Sequence, residues 1–241
     1  MILKLAFLRA YQMNDPLNNP VWHALETKQR QMAISHGGAS RYPSCVSTFA
    51  AIRQPNDACL DDLSNIVARG ESVGILHTGS MPEHGAFVVR QERRAYQMLC
   101  PEYVHGPDET PEVLSLADAE PAVDLAALTK PGPFGGRTIQ MGTYVGFRDG
   151  QSLVAFGGER FSFPGFTEVS AVCTHPDYRG RRYAESVVRW LCGLIQEKGE
   201  VPFLHVVIGS PSEQAAVGLY ERVGFSIRRT MEYALLERTC D

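Results

Sequence analysis

The chain reads as an α/β protein built on a mixed sheet, and three observations predict it. From residue 114 the patterns run helix, three strands, helix, strand, helix, two strands, a hairpin-rich front followed by strand–helix–strand crossovers. The strand-like run of Val169, Ala171 and Val172 gives way, across a polar Arg-Gly turn, to a long amphipathic run from Tyr183 to near Gly199. Pro202–Ile208 is a continuous apolar run with β-branched residues, which reads as a buried strand.

Taken in order, Asp15–Pro20 is turn-forming, and a helix begins near Val21 and carries Trp22, Leu25 and Met32. Gly37, Gly38 and Pro43 break the pattern. Leu60–Ala68 reads as a helix ended by Gly70; Val73–Leu76, Ala86–Val89 and Ala95–Leu99 read as short strands. His23, His36, His77 and His84 are isolated and read as structural or surface residues. Residues 101–113, with Pro101, Gly106, Pro107, Asp108, Glu109 and Pro111, are the linker candidate, dividing an N-terminal α/β domain (1–105) from a C-terminal one (110–241). Leu114–Leu128 reads as a helix broken around Pro121, and Lys130–Gly136 as a loop. Met141–Phe147 and Leu153–Glu159 form a hairpin about Arg148-Asp149-Gly150. A strand Thr167–Thr174 and a helix Arg181–Lys198 follow. In Ser210-Pro211-Ser212-Glu213, Ser210 is placed as N-cap, Pro211 at the first helical position and Glu213 to complete a capping box. That helix runs to about Arg222, Gly224 ends it, and Phe225–Ile227 and Met231–Leu236 close the sheet. No internal repeat is visible.

The 241 residues carry a net charge of −4 with 44% apolar and 21% charged residues, an ordinary globular balance. No long basic run points to nucleic acid. The six cysteines are scattered without a CxxC pair, so the spacing supports neither a zinc site nor a redox motif, and a reducing, cytoplasmic setting is the simpler reading. Cys173 and Cys192 lie in apolar patterns and read as buried thiols. The apolar start, Met1–Leu8, is short for a signal peptide, and no run approaches the ~20 residues of a membrane span.

A strand, a Gly- and Arg-containing turn and a helix start together make an anion site. The first N–H groups of a helix have no internal partner, and the helix dipole favours negative charge there. Arg179–Arg182 concentrates positive charge at that point, which suits a small polyanion better than a duplex. The stretch Glu168 to Ala184 (EVSAVCTHPDYRGRRYA) resembles the core motif of the Gcn5-related N-acetyltransferases (GNAT), and Ala216 to Phe225 (AVGLYERVGF) resembles the same family's closing motif. With Lys130–Phe134 and Pro202–Val206, residues 110–240 are most similar to its FR47-like branch. The resemblance implies the GNAT fold, with a central mixed and splayed sheet, and a mixed N-terminal half compatible with a degenerate copy of it.

The resemblance further implies an acyl-CoA-dependent N-acyltransferase, with acetyl-CoA the first donor to consider. It would pass acetyl to a primary amine of a small molecule or peptide by direct attack in a ternary complex. No metal, nucleic acid or membrane is called for, and the protein would be a monomer or homodimer. Arg179, Gly180, Arg181, Arg182, Tyr183 and Ala184 would wrap the pyrophosphate. Arg182 departs from the family's glycine and would need a helical φ. Val172, Cys173 and Thr174 would meet pantetheine along the splayed strand. Tyr220 would protonate the leaving thiolate, and Glu168 would act as general base through water, on the same side of its strand as Ser170, Val172 and Thr174. His205 is the rival base, its plainer reading a core histidine. Glu213 stands where many members have Asn, so a pantetheine contact there is not expected. The alternative is a non-catalytic acyl-CoA-binding or sensor module.

Overall fold

The computed structural model describes residues 15–103 and 109–240. The apolar start Met1–Leu8 and the Gly106–Asp108 part of the linker candidate lie outside the described residues. Among those described, eleven strands form one sheet. They are β1 (Ile34–His36), β2 (Ala39–Arg41), β3 (Phe49–Ile52), β4 (Ser72–His77), β5 (Phe87–Leu99), β6 (Glu112–Val113), β7 (Tyr144–Asp149), β8 (Ser152–Phe163), β9 (Phe166–Thr174), β10 (Val201–Val207) and β11 (Ser226–Arg238). The helices are α1 (Pro20–Glu26), α2 (Asp57–Ser64), α3 (Ala119–Thr129), α4 (Tyr183–Glu197) and α5 (Glu213–Val223).

The strand order is β1-β2-β3-β4-β11-β5-β10-β9-β8-β7-β6, and the eight strands from β2 to β8 in that order are symmetric about the β11–β5 pair. In β2-β3-β4-β11 an antiparallel pair leads to a parallel pair bridged by α2, then to an antiparallel partner. β8-β9-β10-β5 repeats that pattern with α4 as the bridge. The last strands are exchanged: β11, from the end of the chain, pairs with β4, while β5 pairs with β10. β5 and β11 then pair with each other from Phe87↔Arg238 to Leu99↔Ser226. A repeat that is invisible in the sequence is thus legible in the pairing.

Apolar periodicity sets which faces are covered. α4 buries Val187, Val188, Leu191, Cys192 and Ile195, spaced three to four apart, against Met98, Val145, Val169 and Leu204 of the sheet. α2 buries Cys59, Leu60 and Leu63 beneath Ile75 and Ala234, and Asn56 caps it by accepting from the Cys59 N–H at 2.9 Å. α1 and α3 cover the opposite face, α1 over Phe161, Phe163 and Phe203, and α3 over Tyr144, Phe156 and Ala171.

Several sequence expectations change. Ala86–Val89 and Ala95–Leu99 are one strand, β5, because an outward, polar middle can still pair when strands flank it on both sides. Phe225–Ile227 and Met231–Leu236 are likewise one strand, β11, with a bulge at Arg228 and, opposite Leu235 and Leu236, one at Arg90 of β5. β1, β2 and β3 stand where only breaks were read; Gly37, at φ 53°, turns β1 into β2 rather than ending structure. Pro121 lies in the first turn of α3, where it breaks nothing. Residues 112–118 are a short strand and a 3-10 turn. α2 starts at Asp57 and ends at Ser64, and α5 starts at Glu213. Glu213 does not close a capping box on Ser210: its carboxylate accepts the Gly209 N–H at 2.6 Å, one residue earlier.

Candidate functional site

β9 and β10 pair in parallel only at Phe166, Thr167 and Glu168, opposite Val201, Pro202 and Phe203. Beyond that point the strands part. The cause lies in β9 itself. Ala171 and Val172 together oppose the single residue Gly157 of β8, a bulge in which Ala171 takes φ 56°. A Cβ on Gly157 would lie 2.8 Å from Val187 Cγ1 and 3.1 Å from Val172 Cγ2, so the bulge can close down only onto a glycine.

The bulge also overturns the expected alternation. Val169 and Val172, three apart, both pack with α4, while Ala171 and Cys173 pack with α3. Val172 and Thr174 therefore do not share a side with Glu168.

The parting of the strands opens a cavity of about 680 Å³. Val172, Cys173 and Thr174 line one wall, His205, Val206 and Val207 the other, and Tyr220 and Leu219 of α5 the back. At its mouth lie Arg179, Gly180, Arg182, Tyr183 and Ala184. Of the pyrophosphate set expected from sequence, only Arg181 is elsewhere: its guanidinium lies 4.8 Å over the Tyr178 ring, and Tyr178 in turn donates to Asp149 at 2.6 Å.

The mouth is built for an anion. α4 has no side-chain cap, so its first N–H groups face outward unpartnered. Gly180 has φ 81° and open space where a Cβ would stand. Neither Arg179 nor Arg182 has a carboxylate within ion-pair distance among the described residues. Arg182, expected with a helical φ, has φ 63° and ψ 10°: it is the N-cap of α4, and the turn needs a left-handed residue there. Deeper in, Thr174 Oγ1 is buried without a hydrogen-bond partner. An extended, amide-bearing polyanion fits this set of free N–H groups, cations and orphaned hydroxyl.

Tyr220 sits at the end of the cavity, its ring edge-on to Phe225 at 5.7 Å. Burial, with Cys173 and Cys192 nearby, raises its phenol above the ordinary value, so it stays protonated at neutral pH. Cys173 is pushed by burial up to about 11 and is no nucleophile.

Glu168 is placed differently from its sequence reading. It is fully buried and is not among the cavity's lining residues. Arg160 Nε and Nη2 donate to its two oxygens at 2.7 Å each, and His205 Nδ1 lies 2.7 Å from Oε1. Burial alone would raise its carboxyl, but the Arg160 charge and the bonds from Arg160 and His205 outweigh burial and bring it down to about 2. The residue that carries this polar cluster into the cavity is His205, whose side chain is 6% exposed. Its other nitrogen, Nε2, lies 3.2 Å from Gln97 Nε2. Gln97 escaped the sequence reading because its partners come from distant segments, and Arg160 because its pairing with Glu168, eight residues on, depends on the register of β8 with β9. An arginine alternating into the apolar run Phe161–Phe163 was the one available signal.

Among the described residues no group of side chains could hold a metal ion, and no helix is long and apolar enough to cross a membrane.

Known proteins resemble this chain in sequence and fold. The family described as FR47-like protein matches residues 144–234. A solved GNAT-family protein of Novosphingobium aromaticivorans, named as an acetyltransferase, is 30% identical, with a TM-score of 0.85 over 94% of this chain and 100% of its own. A Gcn5-related N-acetyltransferase of Kribbella flavida shares the fold at 14% identity and TM-score 0.59, over 90% of this chain and 91% of its own. A Gcn5-related N-acetyltransferase-like protein of Streptococcus suis does so at 13% identity and TM-score 0.54, over 98% and 99%. No curated protein matches the chain.

Proposed function

The chain belongs to the Gcn5-related N-acetyltransferase family, on its FR47-like side, and from that premise we propose that it transfers an acyl group, acetyl first, from acyl-CoA to a primary amine. The observation that carries the reading is the splayed cavity, with bare α4 N–H groups, Arg179 and Arg182 at its mouth and Tyr220 at its end.

In this reading the N–H groups of Tyr183 and Ala184, with Arg179, hold the pyrophosphate. The unpaired edge of β9 along Val172–Thr174 takes the pantetheine amides as an added strand would. A backbone N–H on that edge stabilises the oxyanion as the amine attacks the thioester carbonyl. The Tyr220 phenol, with its raised pKa, suits a hydrogen bond to the departing sulfur better than full proton transfer to it. The proton leaves the attacking amine to water in the cavity; His205, engaged at Nδ1 by Glu168 and at Nε2 by Gln97, keeps no lone pair open to take it. The acceptor is a small-molecule or peptide amine, and the protein works without a metal.

Calorimetry with acetyl-CoA tests the binding half, beside the double variant Arg179→Glu/Gly180→Pro. Wild-type binding that the variant abolishes is expected, and no wild-type binding at millimolar concentration sinks the proposal. For the chemistry, Tyr220→Phe should lower kcat ~100-fold with KM for acetyl-CoA nearly unchanged. One observation favours a second reading, an acyl-CoA sensor: the carboxylate at the expected base position is locked away from the cavity. CoA release across an amine panel separates the two, since binding without turnover supports the sensor.

A further inference from the structure

His205 is held at both ring nitrogens, and the donors around it can be assigned one by one. Arg228 can only donate, and its Nη1 lies 2.6 Å from Gln97 Oε1, so that atom is the amide oxygen. The Gln97 nitrogen then faces the Leu17 carbonyl at 2.8 Å and His205 Nε2 at 3.2 Å, one N–H for each. A nitrogen that meets an N–H donor must offer its lone pair, so Nε2 carries no proton. Nδ1, 2.7 Å from a carboxylate that Arg160 keeps ionised, carries the ring's N–H. The orientation is locked from outside as well, because Arg228 also donates to Asp15 and, at 3.0 Å, to Asn18 Oδ1.

We propose that Gln97 is a positioning residue for His205: its N–H occupies the Nε2 lone pair and fixes the ring as the Nδ1–H tautomer, and the N-terminal segment fixes Gln97. Among the described residues, the charged groups around the ring are Glu168 and Arg160 on the β9 and β8 side and Arg228 and Asp15 behind Gln97; the Phe203 ring stands edge-on at 5.8 Å. Gln97, Leu17 and Asp15 lie outside the residues 144–234 that carry the family signature. The first half of the chain thereby supplies part of the second half's site. That the cavity beside His205 is an active site rests on the acyltransfer reading above; the tautomer does not.

The test is the pair of imidazole nitrogen resonances of His205 at neutral pH, in the full chain without ligand. The wild type should show Nδ1 protonated and Nε2 bare. Gln97→Glu presents an acceptor to Nε2 and should put a proton there. Gln97→Met, which removes the donor without adding an acceptor, should leave Nε2 bare. A protonated Nε2 in the wild type, or an unchanged Nε2 in folded Gln97→Glu, overturns the proposal even if the protein turns over amines. The expected resonances without any turnover uphold it and defeat the acyltransfer reading instead. Should Gln97→Glu not fold, the wild-type spectrum decides.

Discussion

Arg182 holds a left-handed backbone at φ 63°, where an L-residue with a Cβ is disfavoured by roughly 1 kcal/mol or more and glycine is not. Arg182→Gly removes that strain, and the extra freedom of glycine in the unfolded chain offsets part of the gain. The expected result is a Tm unchanged or raised by up to about 4 °C. Acetyl-CoA affinity should fall less than ~10-fold, since Arg179 and the α4 N–H groups remain; a larger loss, in calorimetry, would make the Arg182 side chain a principal phosphate ligand. Glu168 supports a pH prediction. Its folded pKa is lowered from 4.5 to about 2, so its stabilisation is complete above the unfolded value and is lost as pH falls from about 4.5 through 2. The loss is of order 3 kcal/mol. Urea unfolding across that range should show the wild type losing stability faster than Glu168→Gln. Equal slopes would mean that the pairing with Arg160 does not outweigh its desolvation cost. The types of these residues were legible in the sequence, but their partners were not. Nothing in the order of residues says that Arg160 spans to Glu168, or that Glu168 hands its influence to His205.

The bulge in β9 is the element on which the cavity depends, and its support is Gly157. Gly157→Ala would drive a methyl against Val187 and Val172. Overpacking of this kind costs about 1–3 kcal/mol, and here the relief available is a shift of Val172 into the cavity. Reduced thermal stability together with weaker acetyl-CoA binding is therefore expected. A variant that loses stability but binds as before would show that the splay does not need the bulge. Strand–turn–helix and the helix start at Tyr183 were readable because hydrophobic period and glycine placement report local structure. The bulge was not readable: Ala171 at φ 56° looks like any small strand residue, and its conformation is imposed by the pairing of β8 with β9 across the sheet. For the same reason β5 and β11 were each read as two short strands; a long central strand is held by its neighbours where its own pattern lapses.

At the scale of the whole molecule, the exchange of β5 and β11 binds the two sequence halves into one sheet. The proline- and glycine-containing stretch 101–113 reads as a boundary because composition marks a surface crossing, and composition carries no record of which strands meet afterwards. Were the two halves separable domains, residues 110–241 would fold alone, with β11 closing directly onto β10. In the intact chain β5 lies between those strands, pairing Gln97 with His205 on one side and with Arg229 on the other. Removing residues 1–105 exposes the β10 edge, strips α1 from Phe161, Phe163 and Phe203, and leaves His205 Nε2 without Gln97. An open central edge beside an uncovered apolar face is an aggregation site. The 110–241 fragment is therefore expected to be unfolded or aggregated on its own and to regain soluble, acetyl-CoA-binding structure only when co-expressed with 1–105. Size-exclusion chromatography and calorimetry on the two fragments, separate and together, check this. A 110–241 fragment that is monomeric, cooperative in melting and binds acetyl-CoA as the full chain does would show instead that the C-terminal half holds the older, unexchanged pairing, and that the N-terminal half is an addition to a site already complete.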